Sequence, residues 1–363
     1  MAANFMTLQE MVKLARGALT RGDWDYLVGA AETETSMKRN RLAIDRLALK
    51  ARVLNDVTEA RVARSLLGVP LRIPVLLAPI GSLQVFERGG GQSAAEGAGR
   101  FGVMQVLSSV CTPEFEALAQ ACPDVPKIHQ LYALGDEAWM MDIIERTQAA
   151  GYTAFCLTVD TQVYSRRERD ILKRYVPQSG RRVENASVAR GGFGTQAAMS
   201  WDLVKRIKDR FTIPLVLKGI ACAEDAEIAV QHGVDVVYVS NHGGRQLDQG
   251  RGTFDMLPEV VRAVAGRTKV VVDGGIMRGT DILKALALGA DAVGIGRLEA
   301  LAMAAGGADG VVRMLELLEQ EMRINLALMG LSSIEQLTPA SVLPAEPVAP
   351  PHVLSAFPLL DEY

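Results

Sequence analysis

Cysteine is scarce in this chain: Cys111, Cys122, Cys156 and Cys222 stand apart, with no CxxC pair among them. That excludes a disulfide frame and a thiolate zinc site, and it fits buried thiols in a reducing compartment. An excess of either charge is also missing. The formal net charge is −3, so nothing favours nucleic acid or an anionic membrane surface as a partner. No stretch reaches the roughly 18 uncharged apolar residues that span a bilayer. The N-terminus, MAANFMTLQEMVKLARGAL, lacks the apolar core of a secretory signal and reads instead as the start of an amphipathic helix. A soluble, cytoplasmic protein is expected, with no nucleic-acid, membrane or metal partner. A Gly-rich dinucleotide turn after the first apolar run is absent too, which counts against a doubly wound fold.

What the chain does contain is a rhythm. Apolar, β-rich runs occur at Ile73–Ala78, Val103–Leu107, Ile128–Tyr132, Ala154–Val159, Leu215–Leu217, Val236–Val239, Val270–Val272 and Ala292–Ile295. Helix-like segments alternate with them: Gln92–Arg100, Thr112–Ala121, Glu137–Ala150, Trp201–Arg210, Ala223–Gln231, Thr253–Ala265, Thr280–Leu288 and Gly310–Leu328. Strands apolar on both faces, separated by helices, indicate a parallel sheet covered on both sides. Eight such pairs over roughly 250 residues indicate an α/β protein of the (β/α)8 barrel class. The expected layout is a single unit over 1–363. A helical segment occupies 1–70, with a second short element at Asp25–Ala31. The barrel occupies 71–330 and an extended Pro-rich tail 338–363. The segment 174–200 is too long for an ordinary connection, and it follows the fourth strand, so it is expected to be an active-site lid.

In a barrel the chemistry sits where strands end. The sixth run leads into Val239-Ser240-Asn241-His242-Gly243-Gly244-Arg245-Gln246-Leu247-Asp248. Glycines here permit a sharp bend and close approach to a ligand. His242 can take a proton near neutral pH, and Arg245 can hold a carboxylate in a bidentate fork. A base beside an anion clamp points to proton abstraction next to a carboxylate. The other histidines lack such company. His129 lies within a strand as a core residue, and His232 precedes Gly233 at a helix end.

The SNHGGRQLD stretch resembles the signature of the FMN-dependent 2-hydroxy-acid oxidases and dehydrogenases, the group of glycolate oxidase, lactate oxidase and mandelate dehydrogenase. The resemblance runs over about residues 8–335. It implies FMN against Ala78, Pro79, Ile80 and Gly81, with ring contacts from Ser108, Gln130, Thr158, Lys218 and Ser240. Lys218 would stabilise the negative charge of the reduced ring. Asp273 would take the ribityl hydroxyls, and Gly274, Gly275, Met277, Gly296 and Arg297 the phosphate end, where glycines and helix N-termini suit an anion. Substrate would meet Tyr26, Tyr132, Arg167, His242 and Arg245. Asp160 would hold His242 and stabilise its charged form. Arg166 and Arg169 read as solvated charges.

The chain departs from the pattern at Met277 and Leu298, where arginine and proline are usual, and at Gln162, also usually proline. One extra residue falls within Ser82–Gln92. Val110 replaces a bulky aromatic, leaving room for a side chain larger than that of glycolate, branched or mandelate-like. The resemblance implies oxidation of an (S)-2-hydroxy acid, with reoxidation by oxygen or another acceptor, in a homo-oligomer, often a tetramer in this family. Two other readings are a different phosphate-binding barrel enzyme, such as a type 2 isopentenyl diphosphate isomerase, and a flavin-binding protein without turnover.

Overall fold

Uninterrupted aliphatic runs are stable as strands where both faces are covered, and the chain places them there. The computed structural model describes residues 3–175 and 193–361. Eight parallel strands close a barrel in chain order: β1 (Val75–Leu77), β2 (Met104–Ser108), β3 (Lys127–Leu131), β4 (Ala154–Thr158), β5 (Leu215–Ile220), β6 (Val236–Val239), β7 (Lys269–Val272) and β8 (Ala292–Ile295). β8 closes onto β1 with Val293 opposite Val75 and Ile295 opposite Leu77.

Alternation along the strands sorts the side chains. Leu76, Val106, Ile128, Cys156, Val216 and Tyr238 turn inward and fill the barrel. Their neighbours turn outward to the helices and form the larger core. A hairpin, Arg64–Leu66 with Val69–Leu71, adds Leu66 and Leu71 to the inner cluster and closes the end where the strands begin. The opposite end, where the strands stop, stays open.

Three helices precede the barrel: α1 (Leu8–Ala18), α2 (Arg21–Val28) and α3 (Thr35–Asp45). Thr7 caps α1 by accepting from the Glu10 amide, and Leu8, Met11, Val12 and Ala15 form its buried face. The expected helical segment over 1–70 is therefore helical only as far as Asp45, and Leu47–Leu49 is a strand. The final helix begins at Arg297 rather than at the expected Gly310, and continues to Leu328. Its interruption at Gly306 and Gly307, the latter with φ +57, explains why periodicity alone shows only the second half.

The tail is not simply extended. Val342–Pro344 pairs antiparallel with Leu47–Leu49. Farther on, Phe357 is buried and the Leu359 amide donates to Gln9 Oε1 at 2.7 Å. Pairing with a distant strand overrides what Pro-rich composition suggests. Of the expected lid, 176–192 lies outside the described residues. The segment that follows anchors to the barrel mouth: Gln196 Nε2 donates to the Thr158 carbonyl at 3.0 Å, and its Oε1 accepts from the Ala133 amide.

Candidate active site

The loop after β6 is held in an uncommon backbone conformation. His242, Gly243 and Gly244 have φ of +58, +65 and +76. At Gly244 the reason is contact with α3: a Cβ there would lie 2.4 Å from the Met37 amide nitrogen. His242 is left-handed without being glycine, a strained state that persists only where the surroundings enforce it. Those surroundings are polar. Asn40 and Asn241 exchange reciprocal amide hydrogen bonds, each 2.8 Å. Asp248 accepts from the Thr33 and Ser36 amides at 2.9 and 2.8 Å. Sequence reading missed this buttress. Asn40 and Asn241 are 201 residues apart, and no local pattern links them.

So held, the mostly buried His242 ring meets groups that follow two other strands. Its Nδ1 is 2.9 Å from Asp160 Oδ1, and its Nε2 is 3.4 Å from the Tyr132 hydroxyl. Asp160 also accepts from Thr161 Oγ1 at 3.0 Å. Gly219 makes room for Asp160: it has φ +118, and a Cβ there would lie 2.6 Å from Asp160 Cβ. Burial lowers the His242 pKa; Lys218 and Arg167 add to this, outweighing the opposing pull of Asp160. Burial acts to raise the Asp160 pKa, but His242 and Lys218 bring it below the ordinary value. The result is a neutral imidazole beside a carboxylate. Asp160 takes the Nδ1 proton as a hydrogen bond, and the Nε2 lone pair is left toward Tyr132.

Tyr26, Tyr132, Arg167, His242 and Arg245 all line one cavity of about 870 Å³ at the open end of the barrel. Arg245 Nη1 donates to the carbonyls of Tyr26 and Gly29, both at 2.8 Å. Its guanidinium lies 4.9 Å from the Tyr26 ring centre. Arg167 starts the short helix Glu168–Leu172, and its Nε is buried with no hydrogen-bond partner among the described residues. Burial and the nearby Arg167 lower the Arg245 pKa, as expected where cations share a cavity that suits an anion. Arg166 is exposed, as expected, whereas Arg169, with 41% of its side chain exposed, is also ion-paired. It pairs with Glu34 at 2.5 Å and Asp25 at 3.4 Å, tying its helix to α2. The partners come from another part of the chain, beyond the reach of a local charge count.

Beneath the cavity is the last inward-facing layer of the strands. Ser108, Gln130, Thr158 and Lys218 belong to it and are all buried; of these four Lys218 lines the cavity and the other three do not. Lys218 Nζ donates to Ser240 Oγ at 2.9 Å and lies 3.1 Å from Asp273 Oδ2; Ser240 Oγ donates to Asp273 Oδ1 at 2.6 Å. Burial opposes the Lys218 charge, but Asp273 and Asp160 hold its pKa up. Both polar atoms of the Gln130 amide and the Thr158 hydroxyl have no partner among the described residues. Buried polar groups are rarely left so. An amide and a hydroxyl in this layer fit the donor–acceptor edge of a flavin ring. Ala78, Pro79, Ile80 and Gly81 form a small-residue wall of the same cavity.

At the far end lie Gly274, Gly275, Met277, Gly296 and Arg297. Here the helix start that follows the two glycines is already occupied. The Met277 and Arg278 amides donate to Asp281 at 2.9 and 3.0 Å, and the Gly279 amide donates to Glu321 at 2.7 Å. Capping carboxylates occupy that helix start. Arg278 pairs with Glu321 at 2.6 Å, while Arg297 donates to the carbonyls of Leu27, Gly29 and Gly243. The beginning of the last helix, at Gly296 and Arg297, is therefore the better-suited anion position.

Neither other barrel histidine lines the cavity. His129 is buried with Nδ1 2.7 Å from Thr147 Oγ1, and burial pushes its pKa down to about 3. His232 follows Ala223–Gln231 as its C-cap and stacks on Trp201 at 5.7 Å. Among the described residues no group of three or more His, Cys, Asp or Glu is placed to hold a metal ion, and no helix is long and apolar enough to cross a membrane.

Comparison with known proteins adds independent findings. The model of the FMN-dependent dehydrogenase family matches residues 15–344. The chain is 37% identical to an L-lactate oxidase of Nostoc sp., over 92% of this chain and 96% of that protein. It is likewise 37% identical to a peroxisomal (S)-2-hydroxy-acid oxidase of Oryza sativa subsp. japonica, over 93% of this chain and 96% of that protein. Among solved structures, mandelate oxidase with benzoyl-formic acid superposes with a TM-score of 0.86 at 34% identity, covering 95% of this chain and all (100%) of that one.

Proposed function

The chain belongs to the FMN-dependent dehydrogenase family and oxidises an (S)-2-hydroxy acid to the 2-keto acid with FMN; from this premise we propose which residues act and which acids they select. The observation that carries the reading is the His242–Asp160 pair, 2.9 Å apart, with Nε2 turned toward Tyr132 in a cavity that also holds Arg167 and Arg245.

Arg167 and Arg245 bind the substrate carboxylate, and Tyr26 adds its phenol. Charge-assisted bonds of about 1.5–3 kcal/mol each give the carboxylate one orientation. Tyr132 orients the substrate hydroxyl between its own phenol and His242. His242 Nε2 accepts a proton as the acid is oxidised, and Asp160 stabilises the imidazolium that results. Ser108, Gln130, Thr158, Lys218, Ser240 and Asp273 would hold FMN, with Ala78, Pro79, Ile80 and Gly81 beside it. Gly274, Gly275, Met277, Gly296 and Arg297 would take its phosphate end. FMN supplies the acceptor for the two electrons, and the buried Lys218 ammonium offsets the negative charge that reduction brings.

The favoured substrate carries an aromatic or branched side chain. Val110, Phe86 and Leu134 line the cavity together, and Val110 lies against Gly81, 2.8 Å from where a Cβ would stand. An electron acceptor completes the cycle, and the oxidase names of the relatives support oxygen in that role. A single catalytic unit over 1–363, a cytoplasmic location and a homotetramer are parts of the same proposal; light scattering on the purified holoenzyme tests the last.

The function is tested by anaerobic mixing with (S)- and (R)-2-hydroxy acids from glycolate to mandelate, following flavin absorbance. Bleaching by the (S) series, fastest with mandelate-like acids, is the expected result. Preference for glycolate overturns the substrate assignment, and no bleaching by any acid overturns the site.

A further inference from the structure

One buried polar atom at the cavity floor has no part in the mechanism above. Tyr238 precedes Ser240 by two residues on β6, so its side chain turns into the barrel. It is fully buried, and Lys218 Nζ lies 5.1 Å from its ring centre. The phenol crosses the barrel to β8. Its hydroxyl stands 1.7 Å from where a Cβ on Gly294 would be, and Asp273 Cβ is 3.3 Å from the same point. A glycine at 294 is thus what admits the phenol, and Gly294 itself lines the cavity. The hydroxyl makes no well-formed hydrogen bond among the described residues, and Asp273 is the acceptor within its reach. Burial and then the adjacent Asp273 raise its pKa, so it stays an O–H donor.

The nearest acceptor is a carboxylate already shared by two donors. Asp273 takes Ser240 on Oδ1 and Lys218 on Oδ2. The firmer its hold on Lys218, the less of that positive charge is felt by a ring lying above. A third donor would weaken the hold.

We propose that Tyr238 is a positioning residue for the cofactor: in the loaded enzyme its hydroxyl donates to Asp273 across the gap at Gly294, freeing the Lys218 charge to stabilise reduced FMN. The proposal rests on the reading that FMN lies over Lys218 and Asp273. It concerns the redox balance of the bound flavin and not the proton transfer at His242. Substrate binding at Arg167 and Arg245 is unaffected.

The test is the midpoint potential of the holoenzyme, read by equilibration with a reference dye, in wild type, Tyr238→Phe and Lys218→Met. Phenylalanine keeps the ring that fills the barrel and removes only the hydroxyl. The expected result is a reduction equilibrium threefold to tenfold less favourable in Tyr238→Phe, a negative shift of about 15–30 mV for a two-electron couple. The dissociation constant for FMN should change by less than threefold. Gly294→Ala, which crowds the hydroxyl and the ring carbon that bears it, should give a shift of the same sign. An unchanged potential in Tyr238→Phe overturns the proposal. If Lys218→Met also leaves the potential unchanged with FMN bound, the placement of FMN over Lys218 falls with it. A shift in Lys218→Met alone leaves that placement standing and removes Tyr238 only.

Discussion

Replacing Asp160 by asparagine isolates the charge of the His242–Asp160 pair while keeping its shape. The two side chains are 2.9 Å apart and only 16% and 11% exposed. A hydrogen bond to a charged group in such a setting contributes about 1.5–3 kcal/mol. That interaction is strongest once His242 has taken the proton, so its loss falls mainly on the reaction barrier rather than on the resting state. At 1.36 kcal/mol per factor of ten, flavin reduction should slow by about ten- to 150-fold. The pH profile should move as well. In the wild type, burial already lowers the His242 pKa, so the base is neutral through pH 7 and the rate falls only when acid protonates it. Asp160 opposes that lowering, so in Asp160→Asn the acid limb should move to still lower pH while the plateau drops. Anaerobic stopped-flow reduction at saturating acid, repeated across pH, measures both. Reduction at the wild-type rate, or an acid limb displaced upward, would refute the assignment of Asp160 as the stabiliser of the charged imidazole.

Other outcomes follow from the same geometry. Arg167→Met should weaken substrate binding by about ten- to 100-fold, the worth of one charged hydrogen-bond pair, with little change in FMN affinity; titration with a non-reacting carboxylate checks it. Val110→Trp should shift preference toward glycolate, read as the ratio of kcat/KM for glycolate and mandelate. Glu299 is fully buried, neither carboxyl oxygen has a partner among the described residues, and burial raises its pKa. The folded chain therefore keeps a proton that the unfolded chain releases above its ordinary carboxylate pKa. Its stability falls as pH rises from there toward the raised folded value. Glu299→Leu should stabilise by about 1–3 kcal/mol, more at pH 8 than at pH 5; thermal unfolding at the two pH values checks both the size and the order.

Asp25, Arg169 and Glu299 mark where local reading stops. Arg169 looks like part of a solvated run until Glu34 and Asp25 arrive from another part of the fold. Glu299 stands out in no local pattern, because nothing nearby in sequence tells that it is packed inside. The Met277–Gly279 amides look like an open anion site until Asp281 and Glu321 occupy them. In each case the deciding contact is three-dimensional.

What the sequence by itself determined is the set of features that depend on short-range pattern. Aliphatic runs alternating with amphipathic ones specify a barrel covered on both faces. The position of His242, Arg245, Asp160 and Lys218 at strand ends then follows, because parallel strands in a closed barrel all end at one mouth. The tertiary structure alone decided how those ends meet. It set the tautomer of His242 through Asp160, the buttress of Asn40 on Asn241, and the passage of the Tyr238 phenol to Gly294. Closure of the barrel and packing of α3 bring together atoms separated by tens to hundreds of residues, and hydrogen bonds act only over about 3 Å.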